Sequence, residues 1–82
     1  MIRVKMIYFA QAREAAGTRD EELRFEGETK IKTAISKAIE AHPKLGRLEE
    51  ALKVALNEQI VEENVSLHDG DRVALLPPVV GG

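Results

Sequence analysis

The chain has 82 residues, room for one hydrophobic core but not two, so residues 1–82 are read as a single domain. With 44% apolar and 32% charged residues it belongs with folded globular chains; a net charge of −2 leaves no electrostatic footprint for nucleic acid. There is no cysteine, which excludes disulfides, thiolate metal sites and a cysteine nucleophile. No apolar run approaches the length of a membrane span, and Met1-Ile2-Arg3-Val4-Lys5 alternates instead of forming a signal-peptide core, so a cytoplasmic protein is expected.

Ile2 to Phe9 reads as the first strand, with Ile2, Val4, Met6 and Tyr8 on one face and Arg3, Lys5, Ile7 and Phe9 on the other. The second face turns apolar toward its end, which predicts cover on both sides there and a central place in a sheet. Ala10 to Ala16 is built of strong helix formers and stops at Gly17, a natural helix-terminating residue. Glu21 to Phe25 alternates Leu23 and Phe25 with charges, as in a strand with one wet face.

Thr29 is placed to cap the next helix, though Lys32 denies it a reciprocal capping partner. Ile31, Ala34, Ile35, Ala38 and Ile39 then repeat at helical spacing as one apolar stripe, the pattern of a helix laid on a sheet. Pro43 ends that helix near His42. Lys44 to Ala51 predicts a further helical turn or two. Leu52 to Leu56 and Ile60-Val61 are strands around an Asn57-Glu58-Gln59 turn. Asp69-Gly70 marks a turn before the last strand, Arg72 to Leu76, where Val73 and Leu75 face one way and Ala74 and Leu76 the other. Pro77 ends the strand by removing a ladder donor.

Candidate catalytic groups are sparse. His42 and His68 are far apart and lack a second ligand at metal spacing. Asp69 and Asp71 flank Gly70 as turn residues do, with no closing acid for a calcium loop. Glu14, Glu49, Glu50, Glu62 and Glu63 fall in segments expected to be solvated. What remains is the end, Pro77-Pro78-Val79-Val80-Gly81-Gly82. Two prolines stiffen it, and two glycines put the terminal carboxylate on a tip with no side chains. Composition alone leaves two readings open: a frayed terminus, or a tail (77–82) that projects past the domain and delivers its carboxylate into another protein.

Three blocks resemble a known family. They are Tyr8-Phe9-Ala10-Gln11-Ala12-Arg13-Glu14-Ala15-Ala16-Gly17, Val54-Ala55-Leu56-Asn57-Glu58, and the run from Leu67 through Gly70-Asp71 and Pro77-Pro78 to Gly81-Gly82. Together they resemble the small, sulfur-carrying subunit of molybdopterin synthase. That resemblance implies an α+β fold of the ubiquitin-like β-grasp type, a mixed sheet wrapped over one main helix. It implies that an adenylating enzyme uses ATP to activate the Gly82 carboxylate, that sulfur replaces AMP to give a thiocarboxylate, and that no cofactor is bound beyond this covalent sulfur. The large synthase subunit would be the partner, taking sulfur for the dithiolene of molybdopterin from cyclic pyranopterin monophosphate. Nucleic acid and membrane are not expected as partners.

By the same resemblance Gly82 and Gly81 are the reacting tip, and Leu76, Pro77, Pro78, Val79 and Val80 face the partner. Arg13 matches a partner-side arginine, while the residues alone read it equally well as a solvated helix charge. Val80 departs from the small residue usual in the family. Two relatives in chemistry stay open: the sulfur carrier for the thiamine thiazole, usually shorter and without the Pro-Pro, and a ubiquitin-like protein modifier. A plain interaction module with an inert tail is the third alternative.

Overall fold

The computed structural model describes residues 1–78. Seven strands and two α-helices follow one another as β1 (Ile2–Tyr8), α1 (Ala10–Ala16), β2 (Asp20–Phe25), β3 (Thr29–Lys30), α2 (Ile31–Ala41), β4 (Lys53–Leu56), β5 (Gln59–Val61), β6 (Ser66–Leu67) and β7 (Arg72–Leu76). Two 3-10 turns, Pro43–Arg47 and Glu49–Ala51, bridge α2 to β4. The main sheet has the order β2-β1-β7-β4-β5, and β3 pairs with β6 in a small separate ladder. β1 and β7 run parallel at the centre; the other pairs in both sheets are antiparallel. A parallel pair needs a long crossover, and α2 with its following turns supplies it.

One face of the main sheet is closed by α2. Val4, Met6 and Tyr8 of β1, Val73 and Leu75 of β7, and Ile31, Ala34, Ile35 and Ala38 of α2 are all buried in a shared core, joined by Leu45 and Leu67. The alternation read in Arg72 to Leu76 is realised: Val73 and Leu75 lie at 0% exposure, while Ala74 and Leu76 on the opposite face are only half-buried. This is the β-grasp arrangement that the resemblance implied.

Two expectations are corrected. The C-terminal half of β1 is not covered on both sides, because Phe9 is 40% exposed and Ile7 half-buried. β1 is central because it pairs with β2 and β7, not because a second layer covers it. Thr29 does not cap α2 either. It is a β3 residue paired with Leu67, its hydroxyl donates to the Gly27 carbonyl, and Lys30 occupies the cap without a side-chain bond. The first helical amides are instead satisfied by backbone: Ile31 N donates to Val65 O at 3.0 Å and Lys32 N to Glu63 O at 2.9 Å. The segment before β6 therefore does the capping, and that places β3 and β6, two strands too short to show in the sequence.

The turns behave as their residues require. Gly17 closes α1 at φ 74 with its amide on Arg13 O. Asn57 and Glu58, at φ 48 and 76, form a two-residue hairpin turn of the type whose two central residues both need positive φ. At Gly70 (φ 90) the amide donates to Arg3 O, and Asp69 Oδ1 accepts from Arg3 N at 2.8 Å. Asp71 Oδ2 accepts from His68 N and Oδ1 from Asn57 Nδ2. Both aspartates are thus occupied as turn residues.

Candidate functional site

Because β1 and β7 are parallel, their C-terminal ends lie side by side. Tyr8 is the cross-strand partner of Leu75, and Leu75 and Leu76 are also paired with Val54 and Lys53 of β4. The tail therefore leaves from the end of a central strand flanked on both sides. Pro77 is half-buried and Pro78 exposed. Val79, Val80, Gly81 and Gly82 lie outside the described residues. Leu76 stands on the face that α2 leaves open.

A collar of residues flanks this exit. The chain turns from β1 into α1 at Ala10, whose φ of 47 is unusual for a residue with a side chain. That turn brings Arg13 back over the strand end: its Nε donates to Tyr8 O at 3.2 Å, and its guanidinium lies 6.0 Å from the Phe9 ring centroid. Arg13 is half-buried, more tethered than a solvated helix charge would be. Lys53 is exposed on the other side of Leu76. The open face continues away from the exit in cross-strand rows. Next to Phe9, Leu76 and Lys53 comes an apolar row of Ile7, Ala74, Ala55 and Ile60, with Ile60 63% exposed. Beyond it Lys5 lies opposite both Glu22 and Arg72.

Behind the exit, on the helix side, sits a polar cluster. The Tyr8 hydroxyl donates to Glu21 Oε2 at 2.5 Å, and His42 Nε2 lies 2.6 Å from the same oxygen. The two rings meet edge to face at 5.9 Å. Burial first, then the adjacent carboxylate, pushes the Tyr8 phenol well above its ordinary range, so it stays a donor. The cluster ties β1, β2 and the end of α2 together directly under the tail's root.

Among the described residues no group of three or more His, Asp or Glu side chains could hold a metal, and no helix is long and apolar enough to cross a membrane. Glu14, Glu49, Glu50, Glu62 and Glu63 are exposed, as expected. The structure brings Leu76, Pro77 and Arg13 to one end of the sheet. It adds Phe9, Lys53 and Ile60, which sequence reading did not single out. Their signal was the strand alternation itself, and only the strand order makes them neighbours.

Comparisons with known proteins agree with this geometry. The model of the ThiS family matches residues 6–82. A molybdopterin synthase sulfur carrier subunit from Chlamydomonas reinhardtii is 32% identical, over 99% of this chain and 100% of its own length. Another from Escherichia coli is 35% identical, over 96% and 99%. The solution structure of small archaeal modifier protein 1 from Methanosarcina acetivorans superposes with a TM-score of 0.84 at 27% identity, covering 100% of this chain and 98% of that one. With a family match over nearly its whole length and sulfur-carrier relatives aligned end to end, the chain belongs to the ThiS family.

Proposed function

We propose that this chain is the sulfur-carrying subunit of a molybdopterin synthase, with sulfur held as a thiocarboxylate on Gly82. The carrying observation is the tail's origin: it starts at the end of a central strand, held by pairing on both sides, next to an open face with an apolar row. A carboxylate is a poor electrophile. Attack of the Gly82 carboxylate on ATP, catalysed by a separate adenylating enzyme, forms the acyl-adenylate and releases pyrophosphate. A sulfur nucleophile then displaces AMP, leaving an ionised thiocarboxylate that is itself nucleophilic.

The tail's residues suit delivery. Pro77 and Pro78 reduce its freedom before binding, which lowers the ordering cost on docking. Val79 and Val80 are apolar anchors for the large subunit, and Gly81 and Gly82 pass where no side chain fits. Leu76 continues the anchor onto the open face, and Arg13 fixes the collar from which the tail departs. The acceptor is the pterin precursor of molybdopterin, a reading supported by relatives named molybdopterin synthase sulfur carrier subunits. The likeness to an archaeal modifier protein makes conjugation of Gly82 to lysines the competing use of the same activated carboxylate.

The test is a single-turnover transfer with separately prepared thiocarboxylate and the large subunit. Gly81→Val should bind nearly as wild type yet transfer sulfur on the order of a hundredfold more slowly, because about 1 Å of displacement at the reacting atom has that effect. Transfer at the wild-type rate would show that the tip does not thread a narrow channel.

A further inference from the structure

The open face of the sheet carries a like-charge pair that no group in the described residues neutralises. Lys5 of β1 and Arg72 of β7 are direct cross-strand partners, both exposed and both on the face without a helix. Like charges directly opposite destabilise a sheet. The nearby acids are engaged elsewhere. Glu22, the other neighbour of Lys5, pairs with Arg24 at 3.0 Å, and Asp69 takes Arg3 at 3.5 Å. Asp71 spends its oxygens on His68 N and Asn57 Nδ2. Among the described residues neither Lys5 nor Arg72 makes an ion pair. Acids outnumber bases in this chain, 14 to 12, so the pair is not left unmatched for want of carboxylates.

The pair borders a shallow hollow of about 270 Å³, lined by Arg3, Lys5, Glu22, Gly70, Asp71 and Arg72. One row nearer the tail begins the apolar row, and one row further Phe9, Leu76 and the exit. Basic pair, apolar row and tail root thus share one continuous face.

We propose that Lys5 and Arg72 dock an acidic cluster, Asp or Glu side chains, on the protein that receives the tail. This rests on the carrier reading above. The contact sets where the partner lies along the sheet, so that the apolar row is covered and the tail enters its channel in register. A short carboxylate cluster fits better than a polyanion such as nucleic acid, because Glu22 and Asp71 rim the pair and would repel a long run of negative charge.

The experiment is stopped-flow association with the large synthase subunit of the same organism, comparing wild type with Lys5→Glu/Arg72→Glu and Lys5→Gln/Arg72→Gln. At about 0.05 M salt the Glu pair should associate about tenfold more slowly and the Gln pair by an intermediate factor, because such charges steer encounter. At about 0.5 M salt the differences should shrink to within about twofold, since exposed charges are then screened. The Gln pair should melt no lower than wild type, as it relieves the repulsion. If the Glu pair fails to fold, the Gln pair decides. Wild-type association rates for the variants at low salt would overturn the docking proposal alone. Failure of the wild-type chain to bind the large subunit would overturn the carrier reading and this proposal with it.

Discussion

Leu75 and Leu76 are neighbours in sequence with opposite expected behaviour, and truncating each to alanine tests the assignment of the two sheet faces. Leu75 is fully buried under α2, in the core with Tyr8, Ile31 and Val73, on a strand held from both sides. Two paired neighbours keep the backbone from collapsing into the space left behind. Leu75→Ala should therefore fall in the upper part of the range for buried leucines, about 3–4 kcal/mol. In a domain of this size each kcal/mol shifts the melting temperature by about 4–8 °C, so a fall of roughly 15–30 °C is expected. Leu76 already has solvent on its face and no helix above it. Leu76→Ala should cost less than about 1 kcal/mol of stability. Binding should show the reverse order: Leu76→Ala loses about 1–2 kcal/mol of affinity for the large subunit, roughly a tenfold rise in Kd. Leu75→Ala should bind within about threefold of wild type while folded. Urea denaturation followed by circular dichroism, with titration calorimetry on the same samples, gives both numbers. Equal stability losses for the two variants would refute the face assignment.

Alkaline pH offers a second test. Tyr8 has its phenol pKa raised in the fold, so the native state holds a proton that the unfolded chain releases above about pH 10. The stability owed to that shift is present in full below pH 10 and is lost as pH rises further. Tyr8→Phe should be less stable near neutrality but lose less on going from pH 9 to about 11.5, as read by melting temperatures against wild type. At the β4–β5 turn Glu58 sits at φ 76, a conformation that suits glycine. Glu58→Gly should raise stability by about 0.5–1 kcal/mol in urea titration, and a loss would contradict the turn type.

Most of the sheet was legible because alternation survives in short strands. In Arg72 to Leu76 the buried pair Val73 and Leu75 could be read directly, as could the α2 stripe from Ile31 to Ala38. The register was not. Nothing local to Lys5 or Arg72 says that they are opposite each other, because the parallel pairing joins the two ends of the chain. The mistaken cap at Thr29 has the same origin, since the groups that satisfy α2 come from Glu63 and Val65, more than thirty positions away. The link between Tyr8, Glu21 and His42 was equally invisible, as each residue sits on a different element. Phe9 misled because an apolar residue at a strand end suggests cover, whereas here it lines the exposed collar of the tail.

Sulfur carried on Gly82 is read directly by intact mass. The chain is incubated with an adenylating enzyme of this pathway, ATP and a sulfide source, and the enzyme's competence is checked on an Escherichia coli carrier. A mass gain of one oxygen-to-sulfur exchange, located by fragmentation at Gly82, is expected. An unchanged mass with a competent enzyme, or sulfur at any other residue, would contradict it.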